Sequence, residues 1–569
     1  MPERFFLCTA IDYTNGAPHI GHAYEKVLAD VIARYHRLKG EEVFFLTGVD
    51  QHGQKVQQSA EKQGIPPEEF VAQTTAKFRA LWQKLGVEYD GWAETVEPRH
   101  KICVQRILQR LWDEKKIYKD KQAGYYSVRQ EQFLTDKERG EDGEFGPEWG
   151  QVEFREEENY YFRLGEHKDW LLSLIKSQTK KPVGERIIFP NSRRTELENG
   201  VYKIDRDLCI SRPKSRLGWG IELPFDPNFV TYVWFDALVN YISFAPGGYD
   251  PRAGAAKTEF HRWWPATIII GKDILIPAHG IYWMIMLHAL GFGDADLPRL
   301  IVHGWWNIAG AKMSKSEGNV VDPDLLADKY GADALRYYLM SDIVTGKDSD
   351  FTEERLIGRY NADLANSVGN LLNRTLNMTQ RYRNGQICFV EDKLSFAPEE
   401  NLRVSGDTWQ EFGVDRVKGE IARREVSRAA TFVLGKLNPV ISSFDVSGIM
   451  SSIIAIAVRA NAAVELSAPW KLAKEPRCAS ELDRTLNVLA EALRVIAILL
   501  SPVAPKAAHG IFDQLNWKME PALSGKEARF SLADAEWGKL PDGHVVGKPT
   551  PLFPRIEVNA SGATHTEMK

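Results

Sequence analysis

The sequence predicts an α/β protein in which a doubly wound parallel sheet is followed by an all-α helix bundle. Residues 5–10 form a continuous apolar run, which is typical of a strand buried on both faces. After a polar loop, apolar residues recur at helical spacing from Tyr24 to Leu38, and a second apolar run follows at 43–47. This strand–helix–strand unit indicates parallel pairing, with ligands bound beyond the carboxyl ends of the strands.

Later elements fit the same plan. Apolar runs at 267–270 and 300–303 end in polar loops and predict two more strands of this Rossmann-like sheet. Residues 124–165 are rich in charge, Gly and Tyr, have little periodicity, and are interpreted as part of an insertion. Amphipathic patterns from Asn361 to about Ala507 predict the helix bundle.

Six segments are therefore predicted along the chain. They are the first half of the Rossmann-like domain (1–118), a connective insertion (119–222), the second half of that domain (223–300), a stem-contact region with a lysine-rich loop (301–360), a helical domain (361–512) and a C-terminal segment (513–569). The final polar residues, NASGATHTEMK, are expected to be disordered.

Composition limits the possible classes of protein. Five cysteines in 569 residues form no CxxC pair, which argues against a disulfide framework and a thiolate zinc site. The N-terminus is a poor signal peptide, and the most apolar stretch, 495–503, is too short to span a bilayer. We therefore expect a cytoplasmic protein with no membrane partner. The net charge of −5 does not exclude nucleic acid, because a local basic stripe can bind phosphates.

The first loop has the chemistry of a phosphate site. It ends in Pro18, His19, Ile20, Gly21 and His22, directly before the predicted helix. A helix N-terminus carries unpaired N–H groups and partial positive charge, and therefore favours phosphate. Gly21 permits close backbone approach, and the two imidazoles can donate hydrogen bonds to phosphate oxygens. The alternative interpretation is a turn with two surface histidines.

The second loop is the lysine-rich segment 312–316, KMSKS. In nucleotidyl transfer, negative charge builds up on the phosphates, and Lys312 and Lys315 would stabilise that state more than the ground state. For two lysines alone, a solvated charge run would be the simpler interpretation. The ordered five-residue match, together with the first loop, favours phosphate chemistry.

These loops resemble the HIGH and KMSKS motifs of class I aminoacyl-tRNA synthetases. The flanking stretches are most similar to methionyl-tRNA synthetases: AIDYTNGAPHIGH, TGVDQHGQK, YVWFDALVNYI, GKDI, HGWWNIAGAKMSKSEGN and LFPRIE. The resemblance covers the chain from Phe5 to about Glu557. It implies a ligase that uses ATP, bound with Mg²⁺, to form methionyl-adenylate and pyrophosphate. The ligase then transfers methionine to the 3′ end of initiator and elongator tRNA(Met), serving translation.

The resemblance also implies the site residues. The implied catalytic residues are His19, His22, Lys312 and Lys315. The implied ATP-binding residues are Tyr13, Asn15, Gly16, His19, Gly21, His22, Lys312 and Lys315. The implied methionine-binding residues are Ile11, Tyr13, Asp50, Trp234, Leu238, Tyr241, Ile274, His279 and Trp283. A thioether with an α-ammonium needs an apolar, aromatic site with one carboxylate, here Asp50. By residue type alone, Trp234 and Tyr241 would be interpreted as core residues.

The chain departs from the family pattern at several positions. Asp12 stands where the family usually has Pro, Gln51 stands where Glu is common, and the segment from Asp273 to Trp283 is one residue longer. Many relatives carry CxxC zinc knuckles in the insertion, but residues 119–222 contain only Cys209 and His167 as possible thiolate or imidazole ligands. These are too few for a tetrahedral site, so we expect no structural zinc and no other bound metal.

The helical region contains the residues that the resemblance assigns to anticodon binding. Asn370 and Arg374 are four residues apart and share a helix face, and Trp470 begins another helix. The resemblance implies that Trp470 stacks on a base while Asn370 and Arg374 hydrogen-bond base edges. The alternative for Trp470 is a core position at a helix start.

Three other functions are weighed against this one. Another class I synthetase, for leucine or cysteine, is disfavoured by the short insertion and the missing zinc ligands. A nucleotidyltransferase of the same superfamily would need no anticodon-reading helices. A catalytically inactive tRNA-binding protein would not need intact His19, His22, Lys312 and Lys315. Some relatives dimerise through an appended C-terminal domain that this sequence lacks, so we expect a monomer.

Overall fold

A computed structural model describes residues 2–127, 132–134, 136–140, 142–252, 258–308, 311–312, 321–390, 415–442, 444–517, 530–558 and 564–566. The first half of its strands comprises β1 (Arg4–Thr9), β2 (Asp12–Tyr13), β3 (Glu42–Asp50), β4 (Gly91–Glu94), β5 (Ile117–Ser127), β6 (Gln132–Leu134), β7 (Val152–Phe162), β8 (Ile188–Phe189), β9 (Leu208–Cys209) and β10 (Ser211–Pro213). The remaining strands are β11 (Glu222–Leu223), β12 (Asp226–Thr231), β13 (Thr267–Gly271), β14 (Arg299–His303), β15 (Trp306–Ile308), β16 (Ala311–Lys312), β17 (Ser349–Asp350), β18 (Gln386–Ile387), β19 (His544–Val545), β20 (Ile556–Val558) and β21 (Thr564–Thr566).

The α-helices divide between the sheet region and the helical region. The first group comprises α1 (Ile20–Leu38), α2 (Gln54–Gln63), α3 (Pro67–Lys84), α4 (Pro98–Asp113), α5 (Lys168–Ser177), α6 (Asn191–Tyr202), α7 (Val233–Leu238), α8 (Asn240–Ser243), α9 (Phe260–Trp263) and α10 (Met284–Ala289). The second group comprises α11 (Pro323–Tyr330), α12 (Ala332–Asp342), α13 (Glu353–Arg359), α14 (Asn370–Arg383), α15 (Arg416–Ser442), α16 (Val446–Ser467), α17 (Pro469–Leu472), α18 (Ala479–Leu500) and α19 (Pro505–Gln514). Two segments with π-type hydrogen bonding, called here the π-helical segments, are Leu275–Trp283 and Tyr360–Gly369, and they precede α10 and α14. The first is kinked at Ile276, whose φ and ψ are not helical.

The main sheet is parallel, as predicted. Strands β3, β1, β13, β14 and β8 are neighbours in that order, and β2 and β4 also pair with β3. The chain leaves β1 towards β3 on one side and later returns to β13 on the other. The strand order therefore reverses at β1, which is where ligands bind in such sheets.

Helix α1 packs on this sheet because its apolar residues recur at helical spacing. It contacts β1, β3 and β13 on one side and α12 on the other. Most of its residues are buried, including three charged ones, Glu25, Lys26 and Asp30. A buried charge is costly unless it is paired, so these three residues mark places where α1 must meet specific partners.

The connective insertion contains a long antiparallel pair that the sequence pattern did not reveal. Strand β5 pairs with β7 over their whole length, from Ile117 opposite Phe162 to Ser127 opposite Val152. The outer half of β7 has no fully buried residue, and its sequence is mostly charged. A strand that buries neither face lacks the alternating pattern by which strands are recognised.

The C-terminal segment returns to the start of the helical region. The Asn361 side chain donates from Nδ2 to the Ile556 carbonyl and accepts from the Ile556 N–H, both at 2.9 Å. Strand β20 then pairs with β21. The expectation that the last residues lack structure is therefore wrong for Thr564–Thr566, because backbone pairing needs no apolar pattern.

One stretch among the described residues, Val446–Leu472, is long and apolar enough by length and composition to cross a membrane. Half of its most apolar window is buried within the fold. Core helices of soluble proteins have the same property, so this composition is weak support for a membrane span.

Arg336 of α12 is fully buried and joins three parts of the fold. Its Nη2 donates to Asp30 Oδ2 of α1 at 2.6 Å and to the Pro502 carbonyl at 2.7 Å. Its Nε donates to the Val503 carbonyl at 2.8 Å, and Nη1 donates to the Leu85 carbonyl at 3.1 Å. The guanidinium therefore connects α1 with the loop after α3 and with the end of α18.

We expect Arg336→Met to lower the free energy of unfolding by about 3–5 kcal/mol, because it removes one of the two guanidinium partners of the buried Asp30 carboxylate and leaves several buried carbonyls without their donor. Urea unfolding measures this change. The control is Arg428→Ala, which breaks an exposed pair with Glu425 and should cost less than about 1 kcal/mol. Equal effects of the two substitutions would contradict the prediction.

Candidate active site

A cavity of about 560 Å³ opens at the carboxyl ends of β1, β3, β13 and β14. Its wall combines polar groups near the start of α1 with an aromatic side formed by α7, α8 and the π-helical segment. The lining residues named by the sequence analysis are Ile11, Tyr13, His19, Gly21, His22, Asp50, Trp234, Leu238, Tyr241, Ile274 and His279. Asn15, Gly16 and Trp283 are described but do not line it.

The start of α1 presents two histidines with a defined tautomer. His19 is the N-cap, and its Nδ1 accepts from the Gly21 N–H at 3.1 Å, while His22 Nδ1 accepts from the His19 N–H at 3.1 Å. The rings stack with centroids 3.7 Å apart. A ring nitrogen that accepts a hydrogen bond carries no proton, so Nε2 of each neutral ring is the donor.

Asp50 ends β3, and the loop after it is held by buried hydrogen bonds to Asp236, which we call the Asp236 brace. His52 Nδ1 lies 2.7 Å from Asp236 Oδ2, and His100 Nε2 lies 2.7 Å from Asp236 Oδ1. His100 Nδ1 lies 2.8 Å from the Ser243 hydroxyl. Burial would raise the pKa of Asp236, but its charge interaction with His52 and its hydrogen bonds with both histidines lower this pKa to about 2. Asp236 belongs to α7, so the brace ties the Asp50 loop to the aromatic side of the cavity.

Gly53 closes the same loop. Its φ is +106°, and a Cβ atom there would lie 2.7 Å from the Tyr13 hydroxyl oxygen. Both the left-handed conformation and this close approach require glycine. The loop can therefore bring Asp50 and Tyr13 to the same part of the cavity.

The aromatic side of the cavity is neutral. His279 Nδ1 donates to the Ile274 carbonyl at 3.0 Å, so its Nε2 must accept from the Tyr241 hydroxyl at 2.7 Å. Burial lowers the pKa of His279 to about 4 and raises that of Tyr241. The Trp234 ring lies edge-on to His279 at 6.2 Å. Trp283 packs behind Tyr241, with centroids 5.8 Å apart, and supports this wall from the core.

The sequence analysis missed a charged side of the cavity. Asp12, Glu25 and His303 line it, and Lys26 lies beneath them. Glu25 Oε2 lies 3.1 Å from His303 Nε2. A signal was present in the sequence, since Glu25 and Lys26 interrupt an apolar helix face. Asp273 and Trp305, which follow strand ends, also line the cavity and were not assigned to the site from the sequence.

The lysine-rich loop is described only at its ends. Lys312 pairs with Asn307 between β16 and β15, and its side chain lies outside the described residues, as does Lys315. At the other end, Val321 accepts a hydrogen bond from the Ile20 N–H at 3.2 Å. Val321 therefore lies against the first residue of α1, next to His19 in the chain.

The three predicted anticodon residues lie around one pair of helices. Asn370 Nδ2 is 3.5 Å from Asn461 Oδ1, and Arg374 Nη2 is 2.6 Å from Glu465 Oε1. Both partners lie on α16, and Trp470 follows the end of that helix. Its side chain is 37% exposed, which is unusual for a core tryptophan.

No group of three or more His, Cys, Asp or Glu side chains in the described part of the chain is placed to hold a metal ion. This concerns the described side chains alone, and the expectation of a zinc-free protein stays a prediction.

Comparison with known proteins gives a consistent result. The family model described as "tRNA synthetases class I (M)" matches residues 5–142 and 149–376. The chain belongs to the methionyl-tRNA synthetase family. The Bacillus subtilis methionine–tRNA ligase is 38% identical over 98% of this chain and 79% of its own length. The Listeria innocua methionine–tRNA ligase is 37% identical, with the same coverage.

Solved methionyl-tRNA synthetase structures have the same fold. The Mycobacterium tuberculosis enzyme in complex with methionyl-adenylate has a TM-score of 0.81 and 32% identity, covering 97% of this chain and 100% of that chain. Its ligand-free form gives a TM-score of 0.78. Family membership places the protein among the ATP-dependent ligases that release AMP and pyrophosphate.

The Asp236 brace predicts an acid-dependent loss of stability. Because its pKa is lowered on folding, Asp236 contributes stability above its unfolded pKa near 3.8, and this contribution is lost as the pH falls through about 2. A shift of this size corresponds to roughly 2–3 kcal/mol. Asp236→Asn should destabilise the protein at neutral pH, and the deficit should shrink between about pH 4 and pH 2.

Urea unfolding of both proteins across this pH range measures the difference. Asp169→Asn, at an exposed carboxylate on α5, is the control and should show a small, constant difference. An Asp236→Asn deficit that does not change with pH would contradict the assignment.

Proposed function

We propose that the protein is a cytoplasmic methionine–tRNA ligase with its active site in the cavity at the end of β1. One observation carries this proposal. The helix N-terminus with His19 and His22 and the pocket of Asp50, Trp234 and Tyr241 open into the same cavity. The related M. tuberculosis enzyme holds methionyl-adenylate. This molecule has a phosphate that suits the helix N-terminus and a methionyl group that suits the pocket.

The first step is the activation of methionine. Asp50 pairs with the α-ammonium, and the thioether lies against the neutral wall of Trp234, Tyr241 and His279. A methionine carboxylate oxygen attacks the α-phosphorus of ATP, and the bond to the β-phosphate oxygen breaks. Methionyl-adenylate forms and pyrophosphate leaves.

The phosphates lie at the start of α1. His19 and His22 donate from Nε2, the helix N-terminus adds partial positive charge, and Lys312 and Lys315 supply two cations. The hydrogen bond from the Ile20 N–H to the Val321 carbonyl supports this assignment, because Val321, which lies six residues after Lys315 in the chain, contacts the first residue of α1. ATP would be bound together with Mg²⁺, which would neutralise part of the negative charge on its phosphates.

In the second step, the 3′-terminal ribose hydroxyl of tRNA(Met) attacks the carbonyl carbon of the adenylate, and AMP leaves. Initiator and elongator tRNA are both substrates. Trp470 stacks on an anticodon base, while Asn370 and Arg374 contact base edges. The protein acts as a monomer and needs no structural zinc.

The primary test is ATP–pyrophosphate exchange with each of the twenty amino acids. We expect exchange with methionine and little with the others. His22→Ala and Lys315→Ala should each slow exchange by the equivalent of about 2.7–4 kcal/mol while leaving methionine binding nearly intact, because both groups act on phosphate charge in the transition state.

A variant of the methionine pocket and a control variant complete this test. Asp50→Ala should raise the methionine KM, because it removes the partner of the methionine α-ammonium. Lys62→Ala, at an exposed lysine on α2, should change neither parameter. Preference for leucine or cysteine would overturn the methionine assignment, and unchanged exchange in His22→Ala and Lys315→Ala would overturn the mechanism.

Trp470→Ala separates the two halves of the reaction. Loss of one base stack is worth about 1–3 kcal/mol, so tRNA charging should fall about tenfold or more while pyrophosphate exchange is unchanged. Phe432→Ala, which removes another exposed aromatic from the helical region, should leave both activities unchanged. If Trp470→Ala lowers the unfolding midpoint and impairs both activities, Trp470 is a packing residue.

A further inference from the structure

Lys26 is a buried cation beneath the cavity. It lies one turn after His22 on α1, and its side chain is 1% exposed. The ammonium donates to the Ala10 carbonyl at 2.9 Å, to Asp12 Oδ1 at 2.6 Å and to Glu25 Oε1 at 2.8 Å. An ammonium has three hydrogens, so these three acceptors use its full donor capacity. Burial would lower the pKa of Lys26, but the two carboxylates raise it above its ordinary value, and the side chain stays charged.

The Ala10 carbonyl lies at an irregularity in the sheet. Cys8 pairs with Leu46, whereas Asp12 pairs with Val49, so four residues of the first chain segment are matched by three on β3. The pairing with β3 is therefore offset by one residue at Ala10 and Ile11, which lie between β1 and β2. We call this offset the bulge, because a β-bulge likewise re-aims side chains next to active sites. Lys26 thus contacts the bulge both through its backbone and through Asp12.

The bulge determines where two cavity residues point. Ile11, Asp12 and Tyr13 follow the Ala10 carbonyl in the chain, and all three line the cavity. Tyr13 pairs directly with Asp50 in the register of β2 and β3. If the bulge changed shape, Ile11 and Tyr13 would change their position relative to Asp50.

The two carboxylates that contact Lys26 extend its network of buried polar groups towards the cavity and towards β14. Asp12 Oδ2 is buried and has no hydrogen-bond partner, although Asp12 lines the cavity. Glu25 connects to His303 at the end of β14. The network therefore joins the ends of β1 and β14 through α1.

We propose that Lys26 is a positioning residue for methionine binding: its ammonium fixes the bulge at Ala10 so that Ile11 and Tyr13 face Asp50. This inference rests on the proposed function for the identity of the substrate. It predicts an effect on the methionine site that exceeds the effect on the ATP site, because the start of α1 is held separately by its own cap and by Val321.

The competing explanation is that Lys26 only neutralises buried carboxylates. Two variants separate the explanations. Lys26→Met removes the donor and leaves Asp12 buried without a countercharge. The double variant Lys26→Met/Asp12→Asn also removes that carboxylate, so stability should recover, but the Ala10 carbonyl still lacks its donor. Pyrophosphate exchange gives the KM for methionine and for ATP, and thermal unfolding gives the midpoint.

We expect Lys26→Met to raise the methionine KM about tenfold or more, the size of one hydrogen bond to a charged group, with a much smaller change in the ATP KM. In the double variant the midpoint should return towards the wild-type value while the methionine KM stays raised. If the methionine KM recovers with the midpoint, or is unchanged in Lys26→Met, the proposal is overturned. If Lys26→Met does not fold, the methionine KM of the double variant decides alone.

Arg494→Met is the matched control. Arg494 is a fully buried cation of α18 paired with Glu491 at 2.6 Å, and neither residue lines the cavity. Its loss should lower the midpoint and leave the methionine KM unchanged. A similar rise in the methionine KM of Arg494→Met would show that this KM responds to any loss of stability, which would overturn the positioning role of Lys26. Exchange by the unaltered protein tests the substrate separately, and if another amino acid is activated, the same variants are compared with that amino acid.

Discussion

The contact between Asp30 and Arg336 fixes helix α1 in the fold, and the active site depends on that helix. Asp30 also accepts from Arg34 at 2.8 Å and from the Glu88 N–H at 2.9 Å, so its charge is fully surrounded by donors. One turn further along α1, the Tyr35 hydroxyl donates to the Leu499 carbonyl at 2.9 Å. The helix that begins at His19 is thus fastened to the end of α18 as well as to the sheet. Its N-terminus can therefore present dipole and imidazole donors at a fixed place, which is the condition for preorganised phosphate binding.

The charged residues of α1 form a sequence of contacts from the cavity into the core. His19 and His22 face the phosphates in the proposed mechanism, Lys26 meets the bulge after β1, and Asp30 meets Arg336. His22, Lys26 and Asp30 are each about one turn from the next, so they lie along one stripe of helix α1. Such a stripe costs desolvation energy and is no more stabilising than an apolar stripe. Its contribution is to define the position of α1 along its own axis, because a shift by one residue would separate every pair.

Much of the fold and the site could be predicted from the sequence, and the failures have physical causes. The strand–helix–strand start was predictable because β1 and β3 are buried on both faces and α1 has a continuous apolar stripe. The motif residues were predicted by resemblance, and the structure brings His19, His22 and Asp50 to one cavity, although their roles remain proposals. Strands β5 and β7 were not predicted, since the outer half of β7 has no fully buried residue and is mostly charged. Lys26 was not predicted as part of the site, because the role of a buried lysine depends on its contacts. Its contacts with Asp12 and the Ala10 carbonyl are known only from the structure. Trp283 was assigned to the cavity, but it lies one layer behind, a distinction that depends on side-chain depth.

The resemblance implies that the segment from Asp273 to Trp283 is one residue longer than in the family, and the backbone of this segment is irregular. In an α-helix, one additional residue would rotate all later side chains by about 100° relative to the earlier ones. The segment Leu275–Trp283 is not a continuous helix. It has π-type hydrogen bonding, which occurs mostly as a local bulge at functional sites, and it is interrupted at Ile276, whose φ of −118° and ψ of 124° are not helical. His279 and Trp283 both still meet Tyr241, with ring centroids 5.7 and 5.8 Å apart. The hydrogen bond from Tyr241 to His279 then keeps that wall neutral. The irregular backbone of this segment is therefore compatible both with the predicted added residue and with a neutral aromatic wall.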